Sequence, residues 1–168
     1  SDLISGTMLE FDMSTGKFPL MTTKKMGLKN ICAELEMFIH GGNSKKFLQD
    51  RNCHIWDSWC NPSKIPYSTD PETQKKMAEE DDLGKIYGYQ WTNFNDSGIN
   101  QLRNAINTLK TNSTDRRMIV SAWNPQQLNE MALPPCHYCF QLLSNEGYVD
   151  LLWNQRSSDY PIGVPYDI

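Results

Sequence analysis

The apolar residues of this chain change their period near Lys110, and that change constrains the fold more than any other feature. Upstream, Leu28, Ile31, Cys32, Leu35, Phe38 and Ile39 recur at i, i+3, i+4 and i+7. That spacing predicts a helix over 28–39 with one buried stripe. Gly41-Gly42-Asn43 ends it. A second helix is expected over 45–50. A third is expected over 99–110, with Leu102, Ile106 and Leu109 on one face and Asp96 or Ser97 near its cap. Downstream, 117–123 alternates and is rich in β-formers. Residues 136–143 and 148–153 are strand-like runs joined by Ser144-Asn145-Glu146-Gly147, a hairpin signal. Helices come first and strands gather later, which is the order of an α+β fold.

At 168 residues with 39% hydrophobic side chains, the chain can build one domain with a real core. We read 1–168 as a single domain, incomplete at both ends. Residues 61–82 stand apart: Pro62, Pro66 and Pro71 precede a Glu-Glu-Asp-Asp run. This is the pattern of a solvated insertion or long loop, with a short helix near 74–80. Sixteen Lys and Arg against twenty Asp and Glu leave a net charge of −4, which argues against a general nucleic-acid binder. No apolar run is long enough to span a membrane, and residues 1–5 lack the basic flank and apolar stretch of a signal peptide. Five cysteines, an odd number in a chain this long, argue against a disulfide scaffold and for a reducing, cytoplasmic setting.

Leu133-Pro134-Pro135-Cys136-His137-Tyr138-Cys139 is the segment richest in chemistry. Cys136 and Cys139 have C-x-x-C spacing, so a redox pair or half a zinc site is one reading. Along a strand, residues three apart point to opposite faces, and no second C-x-x-C is present. The other reading is a single nucleophile, Cys136, exposed where a Pro-Pro segment enters a strand. Two arginine clusters, Asp115-Arg116-Arg117 and Gln155-Arg156-Ser157-Ser158-Asp159, flank the strands. Arginine suits phosphate because its planar fork donates parallel hydrogen bonds, and it favours a nearby thiolate. Glu34 lies at the edge of the first helix's apolar stripe, where partial desolvation suits a carboxylate to proton transfer. Ile55-Trp56-Asp57-Ser58-Trp59 and Tyr87-Gly88-Tyr89-Gln90-Trp91 supply flat aromatic surface.

In chain order these segments resemble the thymidylate synthase family. The resemblance also covers Phe18-Pro19-Leu20-Met21-Thr22-Thr23-Lys24-Lys25, Leu83-Gly84-Lys85-Ile86, Ser121-Ala122-Trp123-Asn124-Pro125 and Gly163-Val164-Pro165-Tyr166-Asp167-Ile168. It implies a mixed β-sheet packed with helices, with one sheet face at a homodimer interface. It implies folate-dependent one-carbon transfer with 5,10-methylenetetrahydrofolate as co-substrate and no metal. The thiolate of Cys136 adds to C6 of a pyrimidine nucleotide, and C5 then attacks the methylene carbon. By the same resemblance Arg156 and Ser157 hold the phosphate, with Gln155 beside them. Arg116 and Arg117 reach the phosphate from the other subunit. Glu34 organises proton transfer through water, Tyr87 lies near the C5 proton, and His137 belongs to the base-side water network. Ile55 and Trp56 line the folate site, and Asp159 serves the nucleotide and pterin side.

One position departs from the family pattern. Where thymidylate synthases carry Asn, this chain has Asp167. A side-chain amide accepts from uracil N3–H and donates to O4; an ionised Asp has no donor for O4. It accepts instead from the exocyclic amino group of cytosine. The expectation is therefore hydroxymethylation of dCMP, resembling phage-type deoxycytidylate hydroxymethylases, with methylation of dUMP as the alternative.

Overall fold

The computed structural model describes residues 6–22, 25–159 and 163–167. Residues 1–5, the motif residues Thr23, Lys24 and Ile168, and residues 160–162 lie outside that set. Two units are present: residues 27–158, and a smaller one made of 1–26 and 159–168. In the larger unit the order is α1 (Leu28–Ile39), α2 (Lys45–Gln49), α3 (Pro71–Glu79), α4 (Tyr87–Thr92), α5 (Gln101–Thr111) and β1 (Ile119–Ser121). A 3₁₀ turn (Leu128–Glu130), β2 (His137–Asn145) and β3 (Tyr148–Gln155) follow. The smaller unit carries α6 (Val164–Asp167). The fold is α+β.

The three strands form one antiparallel sheet in the order β1-β2-β3. Val120, Phe140 and Trp153 are cross-strand partners in one row, and Val120 and Phe140 are buried against the helices. The adjacent row, Ile119–Gln141–Leu152, is on the opposite face, where Ile119 and Leu152 are exposed. Glu146 and Gly147 both have positive φ, which is the twist a two-residue hairpin turn requires.

Helix α1 has the expected bounds but a different buried face. Ala33, Met37 and Phe38 are buried, whereas Leu28, Leu35 and Ile39 are each nearly half exposed and Cys32 is exposed. Contact with α4 sets the face. A Cβ on Gly88 would fall 2.4 Å from the Phe38 carbonyl oxygen, so the two backbones touch there. Glu34 is half-buried on this helix. The cap of α5 is Asn100, whose side chain accepts from the Arg103 N–H at 2.8 Å, and not Asp96 or Ser97. Asn95 and Asp96 instead occupy a left-handed turn.

The 61–82 stretch is more ordered than its composition suggests. Asp70 caps α3 by accepting from the Thr73 N–H at 2.9 Å, and Pro71 occupies the first helical position. Met77 is buried at 1% exposure. Backbone bonds Lys45 N–H to Asp81 O (2.9 Å) and Leu83 N–H to Asn43 O (2.8 Å) clasp the end of the stretch to α2.

Candidate active site

Cys136 sits at the mouth of β2 and is gripped through its backbone. Its N–H donates to Tyr87 Oη at 2.8 Å, and its carbonyl accepts from the Arg156 N–H at 2.9 Å. The Pro134-Pro135 segment has no N–H of its own to compete for partners. Its two carbonyls accept from the Arg156 side chain, Pro135 O from Nε at 2.8 Å and Pro134 O from Nη2 at 3.1 Å. The guanidinium is thereby fixed beside the thiol residue while remaining largely exposed. Its Cζ also lies 5.4 Å from the Trp123 ring. Cys136 is half-buried with a free thiol.

Cys139 is also a half-buried free thiol, but its place in the sheet differs. It lies within the ladder, paired across to Ser121 and Asn154, past a register shift between His137 and itself. Burial pushes its thiol pKa up, which disfavours the thiolate. Among the described residues no group of three or more His, Cys, Asp or Glu side chains is arranged to hold a metal.

His137 is sandwiched. Its ring stacks on Tyr87 at 4.0 Å and on Trp153 at 4.8 Å, and Trp153 stacks in turn on Phe140 at 5.8 Å. Burial between these rings lowers its pKa to about 4, so the imidazole is neutral near pH 7. A neutral ring can donate through one nitrogen and accept through the other. Trp153 was not a candidate from sequence. Its signal is its place in the strand alternation, directly across from Phe140.

Glu34 on α1 accepts from the Trp56 indole N–H at 2.6 Å. Trp56 is buried, and its ring meets those of Phe38 and Tyr87 edge-on. Glu34, Trp56, Tyr87, His137, Cys136 and Arg156 therefore form one connected cluster. Ile55 is about half exposed beside it. Gln155 is half-buried as the cross-strand partner of His137, and Ser157 is exposed just past β3. Arg116 and Arg117 lie apart, exposed on the loop after α5. Arg117 forms a bidentate pair with Asp115, both contacts at 2.9 Å, and the Arg116 carbonyl accepts from Gln141. Asp159 and Asp167 belong to the smaller unit, exposed and half-buried respectively.

A polar network with buried amides also holds α4, and no local sequence pattern marks it. Gln90 donates to Gln127 (2.8 Å), Asn124 to Gln90 (3.2 Å), and Gln127 to Asp96 (2.8 Å). Lys85 and Tyr89 both donate to Asp96, at 2.7 and 2.6 Å. The helix that begins with Tyr87 is thus held from beneath by satisfied buried amides.

A family model described as "Thymidylate synthase" matches residues 2–168. Among curated proteins, a thymidylate synthase of Mycoplasma genitalium is 42% identical over 180 residues, covering 98% of this chain and 61% of its own length. One from Malacoplasma penetrans is 41% identical over 176 residues, covering 97% of this chain and 60% of its own. The chain thus spans about three-fifths of the length of these curated relatives.

Proposed function

Because the chain belongs to the thymidylate synthase family, we propose that its protein transfers a one-carbon unit to C5 of a pyrimidine nucleotide, making thymidylate from dUMP. The similar relatives named thymidylate synthase favour this reaction over the hydroxymethylation expected from Asp167 alone. The observation that carries the chemistry is the grip on Cys136, between Tyr87 Oη on one side and Arg156 on the other.

In this reading the Cys136 thiolate adds to C6 of the base, with Arg156 as its counter-charge. C5 becomes nucleophilic and attacks the methylene carbon; loss of the C5 proton and of tetrahydrofolate leaves an exocyclic methylene, and its quenching restores the aromatic ring as the Cys136 thiolate leaves C6. Methylenetetrahydrofolate is the co-substrate that supplies that carbon and, in methylation, a hydride. Ile55, about half exposed, is the apolar group open to a pterin, and Trp56 supports it from the core. Glu34, aligned by Trp56, directs proton transfer through water, and Tyr87 faces the C5 proton. Neutral His137 orders water at the base. Arg156, Ser157 and Gln155 take the phosphate, and Asp159 serves the nucleotide and the pterin. Arg116 and Arg117 are assigned to the phosphate of a second copy in a homodimer. Their exposure, with a carboxylate of their own loop as the present partner of Arg117, suits groups that exchange one anion for another.

A second reading rests on Asp167. A carboxylate where the family pattern has an amide favours cytosine, and hydroxymethylation of dCMP follows if water rather than hydride quenches the exocyclic methylene. One experiment separates the readings. The protein is incubated with methylenetetrahydrofolate and either dUMP or dCMP, and the product is weighed by mass spectrometry. Methylated dUMP supports the first reading, and hydroxymethylated dCMP supports the second. Unchanged nucleotide in both tubes rejects the function altogether.

A further inference from the structure

Lys45 is the most deeply buried charged side chain among the described residues, at 1% exposure, and no proposed step uses it. Its ammonium makes three hydrogen bonds, all to backbone carbonyls: Met77 O at 2.7 Å, Ala78 O at 3.2 Å and Asp57 O at 3.2 Å. Three donors meet three acceptors, so the group is fully satisfied without a carboxylate in direct contact. Two of those acceptors are last-turn carbonyls of α3, which have no partner within the helix, and a cation suits that end. The third belongs to the turn that carries Trp56. The same turn is held again from the far end of α2, where Gln49 donates to the Asp57 carboxylate at 3.0 Å. Two residues from one short helix thus fix the turn whose indole donates to Glu34.

We propose that Lys45 is a positioning residue, which locks α3 and the 54–57 turn together and so sets the Trp56–Glu34 pair on the folate side of the site. This rests on the function proposed above, and it gives the 61–82 stretch a part in that function. An apolar residue at 45 could fill the space but could not bind three carbonyls from two segments at one point.

The test compares the full chain with Lys45→Met, Lys45→Arg and, as a surface control, Lys46→Met. Hydrogen exchange and steady-state kinetics are both measured. Lys45→Met is expected to speed exchange in 54–59 and in 77–80, and to raise KM for methylenetetrahydrofolate roughly tenfold while KM for the nucleotide stays within about twofold. If Lys45→Met does not fold, Lys45→Arg gives the same pattern at smaller size, because a planar fork cannot address all three carbonyls. Faster exchange in α3 with an unmoved folate KM makes Lys45 a helix cap only and overturns the proposal. So does an equal rise in both KM values. If the wild type shows no turnover, the proposed function fails separately. Exchange then decides, and a change confined to α3 that leaves 54–59 protected overturns the link.

Discussion

Two cysteines three residues apart carry opposite expectations, and the reason is local. Cys136 lies outside the ladder beside a fixed guanidinium, whereas burial raises the thiol pKa of Cys139. Cys136→Ala is expected to abolish turnover, and Cys139→Ala to keep most of it, in a single-turnover product assay. Equal loss from both would revive the dithiol reading. His137 makes a second, independent prediction. Its pKa of about 4 in the fold lies below the ordinary value of 6.5, so the unfolded chain binds the proton more readily. The stability this burial contributes is complete above pH 6.5 and is lost as pH falls through 4. The linked loss is about 3 kcal/mol at most. Urea midpoints measured at pH 7.5 and 4.5 should therefore lie further apart for the wild type than for His137→Gln, which lacks the titrating group.

Elements with strong local signals were legible in the sequence, and the rest were decided by contacts between distant segments. The bounds of α1 and the 146–147 turn follow from periodicity and turn chemistry. The buried face of α1 does not, because it is chosen by the approach of Gly88 to Phe38. Nothing local marks helix α4, since Tyr, Gly and Trp have weak helical preference and six residues make a poor nucleus. It persists on tertiary support from the Gln90–Gln127–Asp96 network. The site followed the same rule. Cys136, Arg156, Glu34 and Trp56 carry family motifs, but Trp153 and Lys45 act through partners far away in sequence. Gly88→Ala tests the α1–α4 contact. A methyl there meets backbone, which cannot step aside as a side chain can. The expected cost is about 1–3 kcal/mol, read as a lowered Tm, with a further loss of activity because Tyr87 moves with α4.

At the scale of the molecule, the homodimer proposed above makes a testable demand on the exposed groups. Among the described residues the sheet face bearing Ile119 and Leu152 is exposed, and β1 follows directly on the arginine loop. A two-fold pairing through this face would make each copy's Arg116 and Arg117 available to its neighbour. That geometry has a consequence no monomer can mimic. Arg117→Ala and Cys136→Ala are each expected to be nearly inactive alone. If the phosphate arginine acts across the interface, a mixed dimer has one site with both the thiol and the neighbour's arginine intact. Unfolding and refolding an equimolar mixture should then restore about a quarter of wild-type activity, since half the dimers are mixed and each has one working site. A mixture as inactive as its parts would place thiol and arginine in the same subunit, and the sheet face would need another occupant.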